Sequence, residues 1–429
     1  MRCETTMNKK SHIDASKVDF FNPDISECPY EAYKILREDA PVWQDPITGM
    51  FIITRYEDVQ TVLRDTQRFR NSRDKTKIDR RSRMLRDLYR EKGWLPAPTL
   101  AGRDDPEHKE MRKLFAHAFR PQKIREMDEF VETLAHRLID NFIAEGKCDW
   151  VHEFAVPLPL IVIGHQVGVP EEDIWKIKEW TDAWVQRLGM MQTEDEAIWS
   201  TEMEIEAQHY FQPIFERLRK KPDGSLLSDL VNTEIPEWGR KLTDEELHAE
   251  MMADTFVGGS ETSTNAISAG VMLLIQQPDQ WELLKNDSEN FLPVLVEEVL
   301  RLEGPVQGLF REVSEDVMMH GTLIPKGSVI NVRYAAANLD EGVFDDPTSL
   351  NLERPNARQH LAFGFGTHYC MGAPLARREL YLSFKALVER VDEMWFIEGL
   401  NDFTHHPNFC LRALRELHIG FTPTCSRTS

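Results

Sequence analysis

Apolar residues recur at three- and four-residue spacing through most of the chain. In residues 107–119, Met111, Leu114, Phe115 and Ala118 fall on one face, which predicts an amphipathic helix. Helices are predicted likewise over 127–144 and 171–187. The longest runs from Thr243 to about Gln277. Thr243 and Glu246 are spaced as a capping box and Pro278 supplies the stop. At 1.5 Å per residue it is about 50 Å long, enough to cross a whole domain. A further helix over 291–302 ends ahead of Gly304-Pro305. Residues 317–324 and 328–332 then flank Pro325-Lys326-Gly327, which predicts a β-hairpin. A last helix covers 373–391, with short strand signals after it. From Arg68 to Asp105, Gly93, Pro96, Pro98 and Gly102 break every period, so this stretch reads as an irregular surface segment of the kind that covers a site. The pattern is mainly α with a minor β portion. It predicts a flexible tail over 1–20 and one large domain over 21–429.

Composition narrows the function classes. The chain has 429 residues, 41% of them hydrophobic, enough for a substantial core without disulfides or structural metals. Lys and Arg number 51 against 72 Asp and Glu, a net charge of −21, which argues against nucleic acid as a partner. The six cysteines are scattered and none forms a C-x-x-C pair. They look like neither a zinc ribbon nor a disulfide framework, and a reducing compartment is expected. Residues 1–20 are polar, without the apolar core of a signal peptide. The most apolar stretch, 156–164, contains two prolines and is far short of a bilayer span. A cytoplasmic protein without a membrane partner is expected.

Four constellations carry chemistry. In Phe363-Gly364-Phe365-Gly366-Thr367-His368-Tyr369-Cys370-Met371-Gly372, glycines surround one cysteine just ahead of a helix. Glycines permit close backbone approach, and a helix N-terminus stabilises a thiolate. On these residues alone, a Gly-rich turn with a structural cysteine and a nucleophilic cysteine near His360 and His368 remain open. Glu298 and Arg301 share a helix face, a spacing that chance often produces. Gly258-Gly259-Ser260-Glu261-Thr262-Ser263 places two costly glycines inside the longest helix, which suits a packing notch as well as a groove. His108 and Arg112 lie four apart on one helix face, where solvated surface residues are the ordinary occupants.

Taken together, F-G-x-G-x-H-x-C-x-G, G-G-x-E-T, E-x-x-R and H-x-x-x-R resemble the cytochrome P450 family, in its order and over residues 23–421. The resemblance implies the family's fold, with haem b (iron protoporphyrin IX) between the long central helix and the cysteine loop. Cys370 would be the thiolate ligand of the iron, the only metal ligand from the protein. Phe363, Gly366 and Gly372 would shape its loop. His108, Arg112, Arg311 and His368 would hold the haem propionates, His368 more weakly than an arginine. Gly258 and Gly259 would open a groove for O2. Thr262 would hydrogen-bond dioxygen and a water, and Glu261 would relay protons. Glu298, Arg301 and Arg354 would form a structural network behind the loop. Glu261 is a mild departure, since many bacterial relatives carry Asp there.

The activity implied is that of a haem-thiolate monooxygenase that hydroxylates, epoxidises or O-dealkylates an apolar small molecule. No flavin- or ferredoxin-like extension is recognised, so electrons are expected from ferredoxin and ferredoxin reductase, or flavodoxin. These would dock on a basic patch drawn from Arg112, Lys113, Arg120, Lys123, Arg377 and Arg378. Three competitors remain: a peroxide-driven peroxygenase, a non-catalytic haem sensor, and a zinc or cysteine-nucleophile enzyme. The Glu261-Thr262 pair argues against the first two, and the other constellations against the third. A pocket of moderate size is expected from the 68–105 and 181–196 regions, the long helix and the loops at 306–310 and 405–409. Trp94, Leu95, Leu100, Trp184, Leu188, Met190, Met191, Ala253, Val257, Leu309 and Phe409 are its candidate apolar residues.

Overall fold

The computed structural model describes residues 14–72, 80–116 and 119–424. Six helices build the site: α1 (Glu107–Ala116), α2 (Pro157–Val167), α3 (Ile174–Leu188), α4 (244–276), α5 (Ser288–Leu302) and α6 (Ala373–Arg390). Ten strands are described: β1 (Val42–Gln44), β2 (Phe51–Ile53), β3 (Phe69–Arg70), β4 (Lys147–Asp149), β5 (Leu309–Val313), β6 (Val317–Met319), β7 (Thr322–Ile324), β8 (Val329–Val332), β9 (Val391–Phe396) and β10 (His418–Pro423).

α4 runs through the middle. Thr243 caps it as the capping box requires: its own N–H donates to Glu246 Oε2 at 2.9 Å, and Glu246 N–H donates to Thr243 Oγ1 at 3.3 Å. Pro278 opens the next helix, as a first-turn proline can. α2 and α3 pack on the first half of α4, and α5 and α6 on the second. This layering buries α2 on nearly all sides, which accounts for its unbroken apolar run. The helical register of α4 is not uniform. Met251–Glu261 is π-helical. Hydroxyls bond back to carbonyls four residues earlier along this stretch, Ser260 Oγ to Phe256 O at 2.7 Å and Thr262 Oγ1 to Gly258 O at 2.9 Å. Such back-bonds, and the glycine pair between them, loosen a helix where π-bulges form.

β1, β2, β8, β5 and β3 form one sheet in that order, antiparallel except for the β2–β8 pair. It carries a core of its own around Ile53, Val59, Ile330 and Val332. β4, β10 and β9 form a second sheet.

Four expectations are corrected. The 68–105 segment contains a helix, Arg80–Lys92. It is so charged that no apolar stripe announces it, and it is anchored by Tyr89, whose hydroxyl donates to Glu204 Oε2 at 2.6 Å. The hairpin turns at His320-Gly321, both at positive φ, to join β6 and β7. The segment after Pro325-Lys326-Gly327 instead becomes β8 of the large sheet. The predicted tail is anchored by residue 18: Val18 and Phe20 are buried, and Phe20 stacks under the Arg333 guanidinium, while residues 1–13 lie outside the described residues. Cys148, Cys370 and Cys410 are outside any disulfide, but Cys28 takes part in one, which the scattered cysteines did not foretell.

Candidate active site

The π-helical stretch of α4 and the loop ahead of α6 face each other across a cavity of about 340 Å³. His108, Arg112, Gly258, Gly259, Thr262, Arg311, Phe363, His368, Cys370 and Gly372 line it. Gly366 and Glu261 do not. Gly366 has φ of +73° and sits so close to Leu63 that an added Cβ would lie 3.0 Å from its carbonyl oxygen. Its task is to let the loop pass the helix Tyr56–Arg64.

The loop aims one sulfur. Gly364 at φ +70° and Gly366 turn the chain, and Cys370 N–H donates to Phe363 O at 3.0 Å. Burial pushes the Cys370 thiol up, while the backbone N–H groups of Gly372 and Ala373 at the start of α6, and the charge of Arg112, act to bring it down. Backbone donors and a nearby cation are the setting in which a cysteine sulfur serves as a metal ligand.

Cations and imidazoles gather at one edge. Arg112 Nη2 donates to Tyr369 O at 2.7 Å, and Arg311 Nη1 to Phe310 O at 2.8 Å. Neither forms an ion pair with a carboxylate among the described residues. His108, from α1, is buried, with Nδ1 3.2 Å from Asp105 Oδ1. Its ring lies 4.0 Å from that of His368. Burial, then the charges of His108 and Arg311, push His368 down to about 3, so its imidazole is neutral.

Across the cavity, Thr262 presents its hydroxyl one turn beyond Gly258. Gly259 also packs against α2, where an added Cβ would meet Ile163 Cγ1 at 3.1 Å. Groove and packing notch therefore coexist in one glycine pair. Glu261 turns the other way. It accepts from Thr181 Oγ1 at 2.8 Å and pairs with Lys178 Nζ at 3.3 Å, both on α3. Lys178 also pairs with Asp182.

Behind the loop, Glu298, Arg301 and Arg354 form a closed network. Arg301 Nε and Nη2 donate to both Glu298 oxygens at 2.6 and 2.9 Å, and Arg354 Nε donates to Glu298 Oε2 at 2.9 Å. The remaining guanidinium N–H groups reach carbonyls of Asn338, Pro347, Asp345, Asp346 and Ser349. A second network went unread in the sequence. Glu297 accepts from Arg377 at 2.8 and 3.0 Å and lies 2.9 Å from His360 Nε2. Burial would raise its carboxyl, but His360 and Arg377 outweigh it and hold it at about 2. Two adjacent acids in an apolar helix were the available signal for two separate buried partners. Glu379 was missed too. It lines the cavity, accepts from Ser263 Oγ at 2.6 Å, and is pushed up to about 8 by burial.

Among the candidate apolar residues, Leu100 and Leu309 line the cavity. Phe409 instead stacks on Phe21 and Phe310, and Trp94 sits against His209 and His248. In the expected basic patch, Lys113, Lys123, Arg377 and Arg378 are each paired with a carboxylate.

The donor set suits the haem implied by the sequence motifs. A sulfur supported by backbone N–H groups lines one side of the cavity, and a glycine-lined helix the other. Arg112 and Arg311 are two buried-edge cations lacking the carboxylates that propionates would supply.

Comparisons with known proteins agree. A family model described as Cytochrome P450 matches residues 174–392. The polyketide biosynthesis cytochrome P450 PksS of Bacillus subtilis (strain 168) is 31% identical over 94% of this chain and 98% of its own. A steroid C26-monooxygenase of Mycolicibacterium smegmatis is 32% identical over 92% and 93%. The crystal structure of P450BioI in complex with an acyl carrier protein ligated to hexadec-9Z-enoic acid superposes with a TM-score of 0.83, at 27% identity, over 94% of this chain and all of that one. No helix among the described residues is long and apolar enough to cross a membrane. With its fold, its cysteine loop and relatives spanning nearly its whole length, the chain belongs to the cytochrome P450 family of haem-thiolate monooxygenases, oxidoreductases that incorporate oxygen from O2.

Proposed function

We propose that residues 21–429 act as one catalytic domain that binds haem b through Cys370 and hydroxylates, epoxidises or O-dealkylates an apolar small molecule. The balance is that of a monooxygenase: substrate, O2, two electrons and two protons give oxygenated product and water. When bound, the haem supplies the iron centre for this oxygen chemistry. The observation that carries the reading is the free Cys370 sulfur, with two backbone donors, on the same cavity as Thr262 and the unanswered Arg112 and Arg311.

The chain's own residues divide the remaining work. Arg112 and Arg311, with His108 and His368 beside them, would hold the haem propionates. Gly258 leaves space beside Thr262. The Thr262 hydroxyl, now donating to Gly258 O, turns to donate toward the oxygen site and is recharged through the Glu261 side of α4. Glu261, held by Lys178 and Thr181 on its outer face, takes protons arriving from solvent and passes them inward by rotating about its side chain. Apolar Leu100 and Leu309 favour a hydrocarbon surface and exclude water. The named relatives concerned with polyketides and steroids support substrates with apolar carbon skeletons.

Electrons come from a separate ferredoxin with its reductase, or from a flavodoxin, docking in the cytoplasm near Cys370. The test is turnover of a spin-shifting substrate, with redox proteins and NAD(P)H against hydrogen peroxide alone. Faster turnover with the redox proteins is expected. Equal turnover with peroxide would replace this reading with that of a peroxygenase.

A further inference from the structure

Two carboxyl groups on the cavity wall have no task in the scheme above: Glu379, which already accepts from Ser263 Oγ at 2.6 Å, and Asp254. Asp254 lies in the π-helical stretch and faces the same cavity as Thr262. Its Oδ2 accepts the N–H of Ala101 at 2.9 Å, and the Thr99 hydroxyl supports it as well. No lysine, arginine or histidine among the described residues pairs with it. Burial therefore pushes its carboxyl above the usual range. Its near neighbours make matters worse. Glu250, one turn earlier, is fully buried and holds Leu100 N–H at 2.6 Å, with its Oε2 left without a partner. Arg103 is turned to Glu107 and Glu246. Thr255, next along the chain, also lines the cavity, is only 5% exposed, and its hydroxyl has no partner.

A partly buried carboxyl without a counter-ion among the described residues is costly. A leucine at this place would extend the apolar wall made by Leu100 and Leu309 at no such cost. Beside Leu100, the cavity wall thus carries a carboxyl with no cation among the described residues and, next to it, an orphan hydroxyl. What answers both is a cationic nitrogen with an N–H to donate.

We propose that Asp254 is the substrate-anchoring residue, and that the substrate is an apolar molecule bearing a basic amine. The proposal rests on the monooxygenase reading and names the substrate class for that same cavity. Asp254 precedes Thr262 by eight residues, about 12 Å along an α-helix axis. The anchor therefore presents to the oxygen site a carbon remote from the nitrogen, not the one attached to it.

The test titrates the haem-loaded protein at pH 7 and reads the low-to-high spin shift, which needs no turnover. The probes are N,N-dimethyloctylamine, cationic at this pH, and 1-octanol. The wild type is expected to bind the amine about tenfold more tightly than the alcohol. Asp254→Asn keeps an oxygen for Ala101 N–H; it should lose that preference and hold 1-octanol as before. Equal affinities in the wild type would overturn the proposal, as would equal weakening of both probes in the variant, or amine binding that shows only the red-shifted spectrum of direct iron ligation. The wild-type comparison alone decides the matter if the variant does not fold. A chain that shows no haem band would overturn the monooxygenase reading and this inference with it. A haem protein without amine preference overturns this inference alone.

Discussion

The buttress behind the Cys370 loop and the cavity face of α4 treat buried charge in opposite ways. In the buttress, each carboxylate meets a guanidinium: Glu298 holds Arg301 and Arg354, and Glu297 holds Arg377 beside His360. On the cavity face, Asp254 has no cation among the described residues and the Thr255 hydroxyl is left over, with Glu250 Oε2 unpartnered one turn before. The first region is satisfied from within the chain and so is built to hold a shape. The second is completed only by something that enters. Stability and specificity are thus lodged in different halves of one site.

Breaking the buttress should have the largest effect. Glu298→Ala leaves two buried guanidinium groups unanswered and should cost about 3–5 kcal/mol in denaturant unfolding. Asp254→Asn, on the other face, should cost well under half of that. A reversed order would break the comparison.

Acid should find the buttress first. Glu297 is depressed to about 2 from an ordinary 4.5, so its contribution is complete above pH 4.5 and is lost as pH falls toward 2. The full loss is worth roughly 3 kcal/mol. Unfolding free energies measured across this window should fall less steeply for Glu297→Gln than for the parent chain.

On the cavity side, Thr262→Ala should leave stability intact and cut product formation about 100-fold, a typical loss for a proton-transfer group. NAD(P)H consumption should persist and peroxide should rise. Unchanged coupling would assign proton delivery to another route.

The glycine pair gives the finest test. Gly258→Ala meets only Ala253 O at 3.6 Å, whereas Gly259→Ala presses on Ile163 at 3.1 Å. Gly259→Ala should be the less stable of the two by about 1 kcal/mol, and Gly258→Ala should be the one that weakens ligand binding.

Much of this was legible in the sequence where chemistry fixes spacing. The Cys370 loop needs glycines at positive φ and a helix start, so its pattern survives as a motif. The Thr243 capping box, Pro278 stop and Glu298-x-x-Arg301 spacing are local rules, and each took its expected form. What escaped was non-local. The helix Arg80–Lys92 lacks an apolar stripe because its hold on the molecule is Tyr89 reaching Glu204 on another helix. Pro325-Lys326-Gly327 looked like a hairpin turn because the partners of β8, in β2 and β5, lie elsewhere in the chain. The carboxyl of Asp254 has no sequence signature. Its meaning comes only from the absence of a cation around it among the described residues.

The most direct test of the central claim is the carbon monoxide difference spectrum of the dithionite-reduced protein, recorded beside that of Cys370→Ser. The account predicts a strongly red-shifted Soret band in the parent chain that is lost in the variant. A parent chain without that band, or a variant that keeps it, would contradict the assignment of Cys370 as the haem ligand.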